Sequence, residues 1–342
     1  MIKRNLFLMI FFFLLLSFNH NFAQDNFNKV GQSGMQYLKI GVGAEMVGRG
    51  EAGISAIRGV QAMFWNPAGL AEMENNEFLF SHNSWIADIS MNAMGVGINL
   101  NEWGVIGANV LWMDYGELHK TSVAQTIEES AQFGYVDEGM FSPTDMAIGF
   151  TYSKKVSPQF SFGGQVRYLY ENYGSNVTLN SAGEKNITEN TMSTFSLDFG
   201  TLYYPGFKSL ALSMTVQNFS TDLKYEQEAF STPLTFKIGL SMNMFDFWEN
   251  SSKNSLLVAV DAIHLRDYSE RLNLGVEYSY LGLFNVRCGY RMNYDLGGFT
   301  AGAGVRYSIS NSLGFKLDFS YMVENTGRFT SPLQLTASLI ML

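Results

Sequence analysis

The sequence predicts an all-β fold, a 14-stranded antiparallel transmembrane β-barrel, and three observations support it. Short segments in which apolar residues alternate with small, polar or charged ones recur from residue 76 to residue 342, as in strands that face lipid on one side and a lumen on the other. Hydrophobic residues make up 46% of the chain and charged residues only 15%, where a soluble domain carries about 25% charge. The connections between segments alternate between short and long. A soluble β-sandwich would also alternate, but it would expose charged side chains on most strands.

The N-terminus has the pattern of a secretory signal peptide. Lys3 and Arg4 precede an unbroken apolar run over residues 6–16, which a short polar stretch separates from Ala23. This run is shorter than the roughly 18–20 residues that a membrane-spanning helix needs. We therefore expect cleavage after Ala23 or Gln24, and any crossing of the membrane must be made by strands.

Each strand is predicted from its two faces. Phe160, Phe162 and Val166, for example, alternate with Ser161 and Gln165, so the first set is expected against lipid and the second in the lumen. The predicted strands are 76–84, 90–100, 104–115, 144–155, 159–171, 191–203, 208–217, 232–242, 256–264, 271–280, 283–292, 298–307, 312–322 and 333–342.

The lengths of the connections support this even count of strands. An even number places both ends of a barrel on the periplasmic side, with short turns there and longer loops outside. The turns after even-numbered strands are short, apart from 244–255. The long loops, which all follow odd-numbered strands, are 116–143, 172–190, 218–231 and 323–332.

The 45 residues before the first strand differ in character, being rich in small residues and lacking strand alternation. Such a compact segment suits a plug folded into the lumen, and a periplasmic extension is the alternative. The predicted organisation is a signal peptide over 1–23, an N-terminal extension and hatch over 24–75, and the barrel over 76–342. The segment ends in a hatch motif made of Trp65, Asn66, Pro67, Ala68, Gly69 and Leu70. Since Pro67 restricts Asn66 to extended backbone, we expect this pair to fix a turn that anchors the hatch beneath the first strand.

The same segment carries a family resemblance. The run Tyr37–Ala44, followed by Gly48, Gly50, Ala52 and the hatch motif, resembles the start of the PorV/PorQ family of outer-membrane proteins. That family is similar to the FadL fatty-acid transporters, which are fourteen-stranded barrels with an N-terminal hatch. The resemblance implies a place in the outer membrane of a Gram-negative, Bacteroidota-type bacterium and a role in type IX secretion. The implied partners are membrane lipid and secreted cargo or secretion-machinery proteins. A FadL-like transporter for a hydrophobic ligand is the alternative.

Charged residues on the inward face form a candidate lumenal site. They are Arg167, Asp198, Glu277, Arg287, Arg291, Arg306, Lys316 and Asp318. Buried charges need partners, so we expect these residues to pair with one another and with the hatch. An anion- or carboxylate-binding wall is the alternative.

The long loops supply candidate residues for binding a protein partner, because they combine acidic and aromatic side chains. Aromatic residues are enriched where proteins contact one another. These candidates are Tyr115, Glu117, Phe133, Tyr135, Phe141, Phe219, Tyr225 and Phe230.

No residue pattern indicates catalysis. The four histidines are scattered, and Cys288, the single cysteine, excludes an internal disulfide and a cysteine-based metal site. There is no Gly-Lys-Ser/Thr phosphate loop, and the net charge of −9 disfavours nucleic acid. We therefore expect a protein that is not an enzyme and that needs no metal or other cofactor.

Overall fold

Strands dominate the computed structural model, which describes residues 32–123, 134–179, 185–224, 229–248, 253–310 and 312–341. In chain order the strands are β1 (Asn76–Ser84), β2 (Ser90–Asn99), β3 (Val105–Asp114), β4 (Leu118–Val123), β5 (Tyr135–Phe141), β6 (Thr144–Ser157), β7 (Phe160–Leu179), β8 (Lys185–Tyr203), β9 (Ala211–Phe219), β10 (Leu223–Lys224), β11 (Ala229–Phe230), β12 (Thr235–Asn243), β13 (Asn254–Leu265), β14 (Arg271–Tyr280), β15 (Phe284–Met292), β16 (Phe299–Ser310), β17 (Leu313–Met322) and β18 (Leu333–Met341). Fourteen of them form a closed antiparallel barrel, and the pairs β4–β5 and β10–β11 form separate hairpins. The predicted fold class and strand number are confirmed.

The barrel closes where β1 pairs with β18, and elsewhere each barrel strand pairs with its neighbours along the chain. Alternate side chains face opposite ways: on β15, Phe284, Val286 and Tyr290 are exposed, whereas Arg287 and Arg291 are buried. Period-2 alternation therefore located most strands well. Since short turns mark the periplasmic end of such barrels, the longer connections define the outer face.

Two neighbouring strands continue beyond the barrel. β7 has 20 residues and β8 has 19, whereas a spanning strand needs about 9–11. The predicted loop over 172–190 is therefore wrong for residues 172–179 and 185–190, which belong to β7 and β8. Beyond the membrane no lipid face selects apolar side chains, so the apolar alternation of a spanning strand is lost while backbone pairing continues. The predicted loops 116–143 and 218–231 likewise contain paired strands, the hairpins β4–β5 and β10–β11.

Residues 32–75, the inner segment, lie inside the barrel and run from its outer mouth to its periplasmic end. At the mouth, the Gly34 amide donates to the Ser231 carbonyl at 3.0 Å. At the other end, Glu72 pairs with Lys155 at 3.0 Å. The inner segment contains α1 (Ala44–Gly48) and the 3₁₀ turns Gln36–Lys39, Val60–Phe64 and Pro67–Glu72. Three further 3₁₀ turns, Ile86–Asp88, Asn101–Trp103 and Met244–Phe247, lie in connections between strands. Within the described residues, no helix is both long and apolar enough to cross a membrane.

Candidate functional site: the filled lumen and its outer mouth

Asn66 and Pro67 sit in a slot on the inner wall that two glycines create. Gly163 on β7 and Gly200 on β8 are directly opposite each other in the register of these two adjacent strands. A Cβ atom on Gly163 would lie 2.4 Å from the Pro67 carbonyl carbon, and one on Gly200 would lie 2.0 Å from Asn66 Oδ1. Only glycine permits such close backbone approach. The motif therefore docks on β7 and β8, and its expected position beneath the first strand is wrong.

Hydrogen bonds hold the motif in this slot. The Asn66 side-chain amide donates to the carbonyl oxygens of Ile54 at 2.9 Å and Thr201 at 3.2 Å, and its oxygen accepts from the Ala68 amide at 3.1 Å. The indole N–H of Trp65 donates to the Val42 carbonyl at 2.7 Å. All six motif residues are buried, including Trp65 at 3% exposure. One asparagine thus joins two parts of the inner segment to the barrel wall.

We expect Asn66→Ala to loosen the inner segment more than the barrel. The buried Ile54 carbonyl and the part-buried Thr201 carbonyl would each lose a donor, and an unsatisfied buried group costs about 1–3 kcal/mol. Limited proteolysis should therefore cut residues 32–75 faster, while the barrel keeps its heat-modifiable migration on gels. Asn285→Ala is the matched control, because the structure records no side-chain hydrogen bond for Asn285 on the described part of the chain. Equal protection of both variants would remove the anchoring role.

Six charged side chains form a closed ring of ion pairs between the inner segment and the wall. Glu45 is the second residue of α1 and Arg49 follows the helix, while Glu277, Arg287 and the pair Lys316 and Asp318 lie on β14, β15 and β17. The successive distances are 3.3 Å for Arg49–Glu45, 3.0 Å for Arg49–Glu277, 2.5 Å for Arg287–Glu277, 2.6 Å for Arg287–Asp318 and 3.4 Å for Lys316–Asp318. A contact between Lys316 and Glu45 closes the ring.

The ring is electrically balanced, with three acids and three bases. Within it, the Glu45 carboxylate is paired with both Lys316 and Arg49. Moving α1 away from the wall would break these pairs and leave buried charges uncompensated, which is unfavourable. The ring therefore holds α1 against the wall. Its wall members are four of the predicted lumenal charges, and their partners Glu45 and Arg49 were not predicted.

Of the four remaining predicted lumenal charges, three form ion pairs and one is exposed. Arg291 pairs with Glu51 of the inner segment at 2.7 Å, and Arg167 pairs with Asp198 at 2.9 Å. Arg306 shares their inward phase but lies near the periplasmic end of β16, where it is exposed and has no ion pair with any described residue. The ion pairing expected for Arg306 is therefore not seen among the described residues.

A small basic cavity of about 50 Å³ lies beside the motif and includes Lys39, Lys237 and Arg271 in its lining. The Lys237 ammonium lies 4.8 Å from the centre of the Trp65 ring, an attractive cation–π arrangement. Lys39 pairs with Asp267 at 2.5 Å. This cavity is the part of the lumen that most resembles the anion-binding alternative, but its volume is that of one or two water molecules.

A larger cavity of about 340 Å³ opens at the outer mouth. Its lining comprises Ser33, Gly34, Met35, Gln36, Tyr37, Tyr115, Asp145, Glu171, Tyr173 and Phe230. The Tyr115 hydroxyl donates to Asp145, and the Tyr173 hydroxyl lies 3.4 Å from the same carboxylate oxygen. Burial and the bond to Asp145 raise the pKa of Tyr115, so it remains a protonated donor. Burial and nearby Asp145 likewise raise the pKa of Tyr37.

The predicted partner-loop residues divide between this mouth and the outer surface. Tyr115 turns into the mouth cavity, and Phe230 lies against the backbone of Gly34. Glu117 is exposed, as are Tyr135 at 47% and Phe219 at 54%, whereas Phe141 is half-buried. Phe133 and Tyr225 lie outside the described residues.

The β4–β5 hairpin contacts the outer extension of β7. Lys120 of the hairpin pairs with Glu138 at 3.2 Å and donates to the Ser175 hydroxyl at 2.9 Å. The Phe141 ring lies against Gly174. The hairpin and the outer parts of β7 and β8 carry exposed apolar side chains, among them Leu118, Met140 and Ile187. We call the projection, residues 118–123 and 135–141 with the outer parts of β7 and β8, the outer hairpins.

Comparison with known proteins supplies a family and a fold. The family model for the type IX secretion system membrane protein PorP/SprF matches residues 130–333, more than half of the chain. No curated protein matches the sequence.

Three solved structures show the same barrel. The toluene transporter TbuX of Ralstonia pickettii is 13% identical with a TM-score of 0.60, and the toluene transporter TodX of P. putida is 12% identical with a TM-score of 0.59. A FadL homologue of Pseudomonas aeruginosa is 11% identical with a TM-score of 0.53. Each likeness covers 88% of this chain and 98% of the other, and at such low identity it establishes the fold alone.

Proposed function

Because the chain belongs to the PorP/SprF family of type IX secretion system membrane proteins, we propose that it is a non-enzymatic component of type IX protein secretion. In this proposal it sits in the outer membrane and engages secreted cargo or a secretion-machinery protein through its extracellular loops. The observation that carries the proposal is the contrast between a filled lumen and an apolar projection outside it. The barrel wall contacts lipid on one face and the inner segment on the other, so the outer hairpins are the surface free to bind a protein.

The composition of the outer hairpins supports a protein partner. Leu118, Tyr135, Met140 and Ile187 are between 45% and 68% exposed, and acidic Asp137 is exposed on the same hairpin. Aromatic and methionine side chains are enriched in protein interfaces. An isolated hairpin is marginally stable in water, so the contacts of Lys120 and Phe141 with β7 help to hold this surface in place.

The N-terminal region supports a closer relation to PorV/PorQ-type barrels within type IX secretion. The resemblance rests mainly on residues 37–70, which precede the range matched by the PorP/SprF model. The hatch motif in that region is buried and hydrogen-bonded to the wall. We propose that residues 24–75 act as a hatch and that residues 1–23 are removed as a signal peptide. N-terminal sequencing of the mature protein should then begin at Gln24 or Asp25, and a start at Met1 would exclude cleavage.

Deleting the β4–β5 hairpin tests the proposed function. Leu118 and Phe141 face each other at its base, so an Asn-Gly turn can replace residues 119–140 without moving the barrel. We expect the shortened protein to insert and migrate as a folded barrel but to capture at least tenfold less cargo that carries a type IX signal domain. Shortening loop 323–332 on the same outer face is the matched control. Normal cargo capture by the hairpin deletion would refute the proposal.

A FadL-like transporter for hydrophobic small molecules is the second candidate. Its support is the shared barrel fold and the apolar cluster of Met35, Tyr37 and Val42 inside the lumen. Met46 and Met63 instead pack in buried clusters of the inner segment and its surroundings. Toluene influx into liposomes containing the protein separates the two candidates. Saturable influx that survives the hairpin deletion would favour the transporter.

A further inference from the structure

The mouth cavity contains a carboxylate whose electrostatic environment is incomplete. Asp145 lies at the start of β6, is only 1% exposed and lines the cavity. One of its oxygens accepts from Tyr115 and Tyr173. The other, Oδ1, is buried with no hydrogen-bond partner, and no described cation lies within ion-pair distance of Asp145. A buried charge without a counter-charge is unfavourable.

A second carboxylate reinforces the negative charge. Glu171 of β7 lies directly opposite Asp145 in the strand register and is 2% exposed. Like charges directly opposite each other destabilise a sheet. The mouth therefore places a second buried carboxylate directly beside Asp145.

Aromatic rings surround these carboxylates. Tyr37, Tyr115, Tyr173 and Phe230 line the same cavity. Rings of this kind attract organic cations through their faces, while the carboxylates provide charged hydrogen-bond acceptors. The volume of about 340 Å³ falls at the lower end of sites that hold small ligands. This combination suits an extended aliphatic chain that ends in a cation.

We propose that the mouth cavity receives a lysine or arginine side chain of the protein that the barrel engages. This proposal rests on the proposed function, since it specifies the chemistry of that partner. The entering guanidinium or ammonium group would meet the free oxygen of Asp145 and lie among the tyrosine rings. The outer hairpins would supply contact area, and the cavity would fix the position of the partner above the lumen.

Binding of a single-arginine peptide to the purified full-length protein in detergent tests the proposal. The probe is a short neutral peptide with one central arginine, and the reference peptide has citrulline at that position, which keeps the shape but removes the charge. Calorimetry should show at least tenfold tighter binding of the arginine peptide. Asp145→Asn, which keeps the shape and an acceptor for Tyr115, should abolish this preference. Asp295→Asn, at an exposed outer-loop position, removes the same charge and should retain it.

Several outcomes would overturn the proposal. Equal binding of the two peptides by the unmodified protein would do so, as would an undiminished arginine preference in Asp145→Asn. Binding of free arginine amide as tightly as the peptide would show a small-cation site and exclude a polypeptide source.

The proposed function and the proposal for the mouth cavity can be refuted independently of each other. If the hairpin deletion captures cargo normally, the loop hypothesis fails even where the arginine preference persists. If Asp145→Asn loses the peptide preference but captures cargo at the normal level, the cavity is not used for the partner, and the loop hypothesis stands.

Discussion

Arg287→Met is expected to destabilise the filled barrel strongly. Arg287 is 3% exposed and joins Glu277 to Asp318. Without it, the ring keeps three acids but only two bases, and removing one partner of a buried pair costs about 3–5 kcal/mol. A loss of that size is a large fraction of the 5–15 kcal/mol of a typical folded protein. Folding yield in detergent should fall, and the heat-modifiable transition should move to lower temperature.

Arg306→Met is the matched control, because it removes the same group from the next strand at an exposed position without an ion pair among the described residues. Surface substitutions of this kind stay within about 0.5 kcal/mol. Adding Asp318→Asn to Arg287→Met should restore part of the lost stability, since the ring then has two acids and two bases. If Arg287→Met and Arg306→Met unfold alike, the ring contributes nothing to stability.

The barrel could be predicted from the sequence because lipid imposes a strict two-residue period on spanning strands. β1 and β14 begin and end where the alternation places them, at residues 76–84 and 271–280. The period vanishes wherever both faces have the same surroundings. The outer parts of β7 and β8 lie beyond the membrane, where no lipid face selects apolar side chains, so their pairing could not be seen in the residue pattern.

The inner segment was recognisable by its small residues, but its contacts were not. Glu45, Arg49 and Glu51 lie in irregular chain that has no period from which to infer a direction. The excess of bases among Arg287, Arg291 and Lys316 could have signalled that the segment must supply acids. The mouth cavity had no such signal, because Asp145 meets Tyr37 and Tyr115 only through the register of β6 and the path of the inner segment.

Backbone packing between the inner segment and the wall depends on three glycines on the adjacent strands β14, β15 and β16. A Cβ on Gly275 would lie 2.4 Å from the Arg49 carbonyl oxygen, one on Gly289 would lie 2.2 Å from the Arg49 carbonyl carbon, and one on Gly302 would lie 3.0 Å from the Gly48 Cα. The end of α1 therefore rests directly on the strand backbones, and this contact places Arg49 within reach of Glu277. No side-chain rotation can relieve a clash there, because the opposing atoms belong to the main chain.

Gly289→Ala is therefore expected to displace the inner segment with a single methyl group. Overpacking of this kind costs about 1–3 kcal/mol and sometimes more, and movement of residues 48–50 would also open the ion ring. We expect faster proteolysis of the inner segment and higher single-channel conductance from a barrel that still migrates as folded. Gly164→Ala is the matched control, because its new Cβ would lie 3.7 Å from the Phe199 ring, which is ordinary contact. Indistinguishable conductance and proteolysis of the two variants would show that the position of the inner segment does not depend on this contact. A change confined to Gly289→Ala would show that the three glycines form the surface on which the inner segment packs.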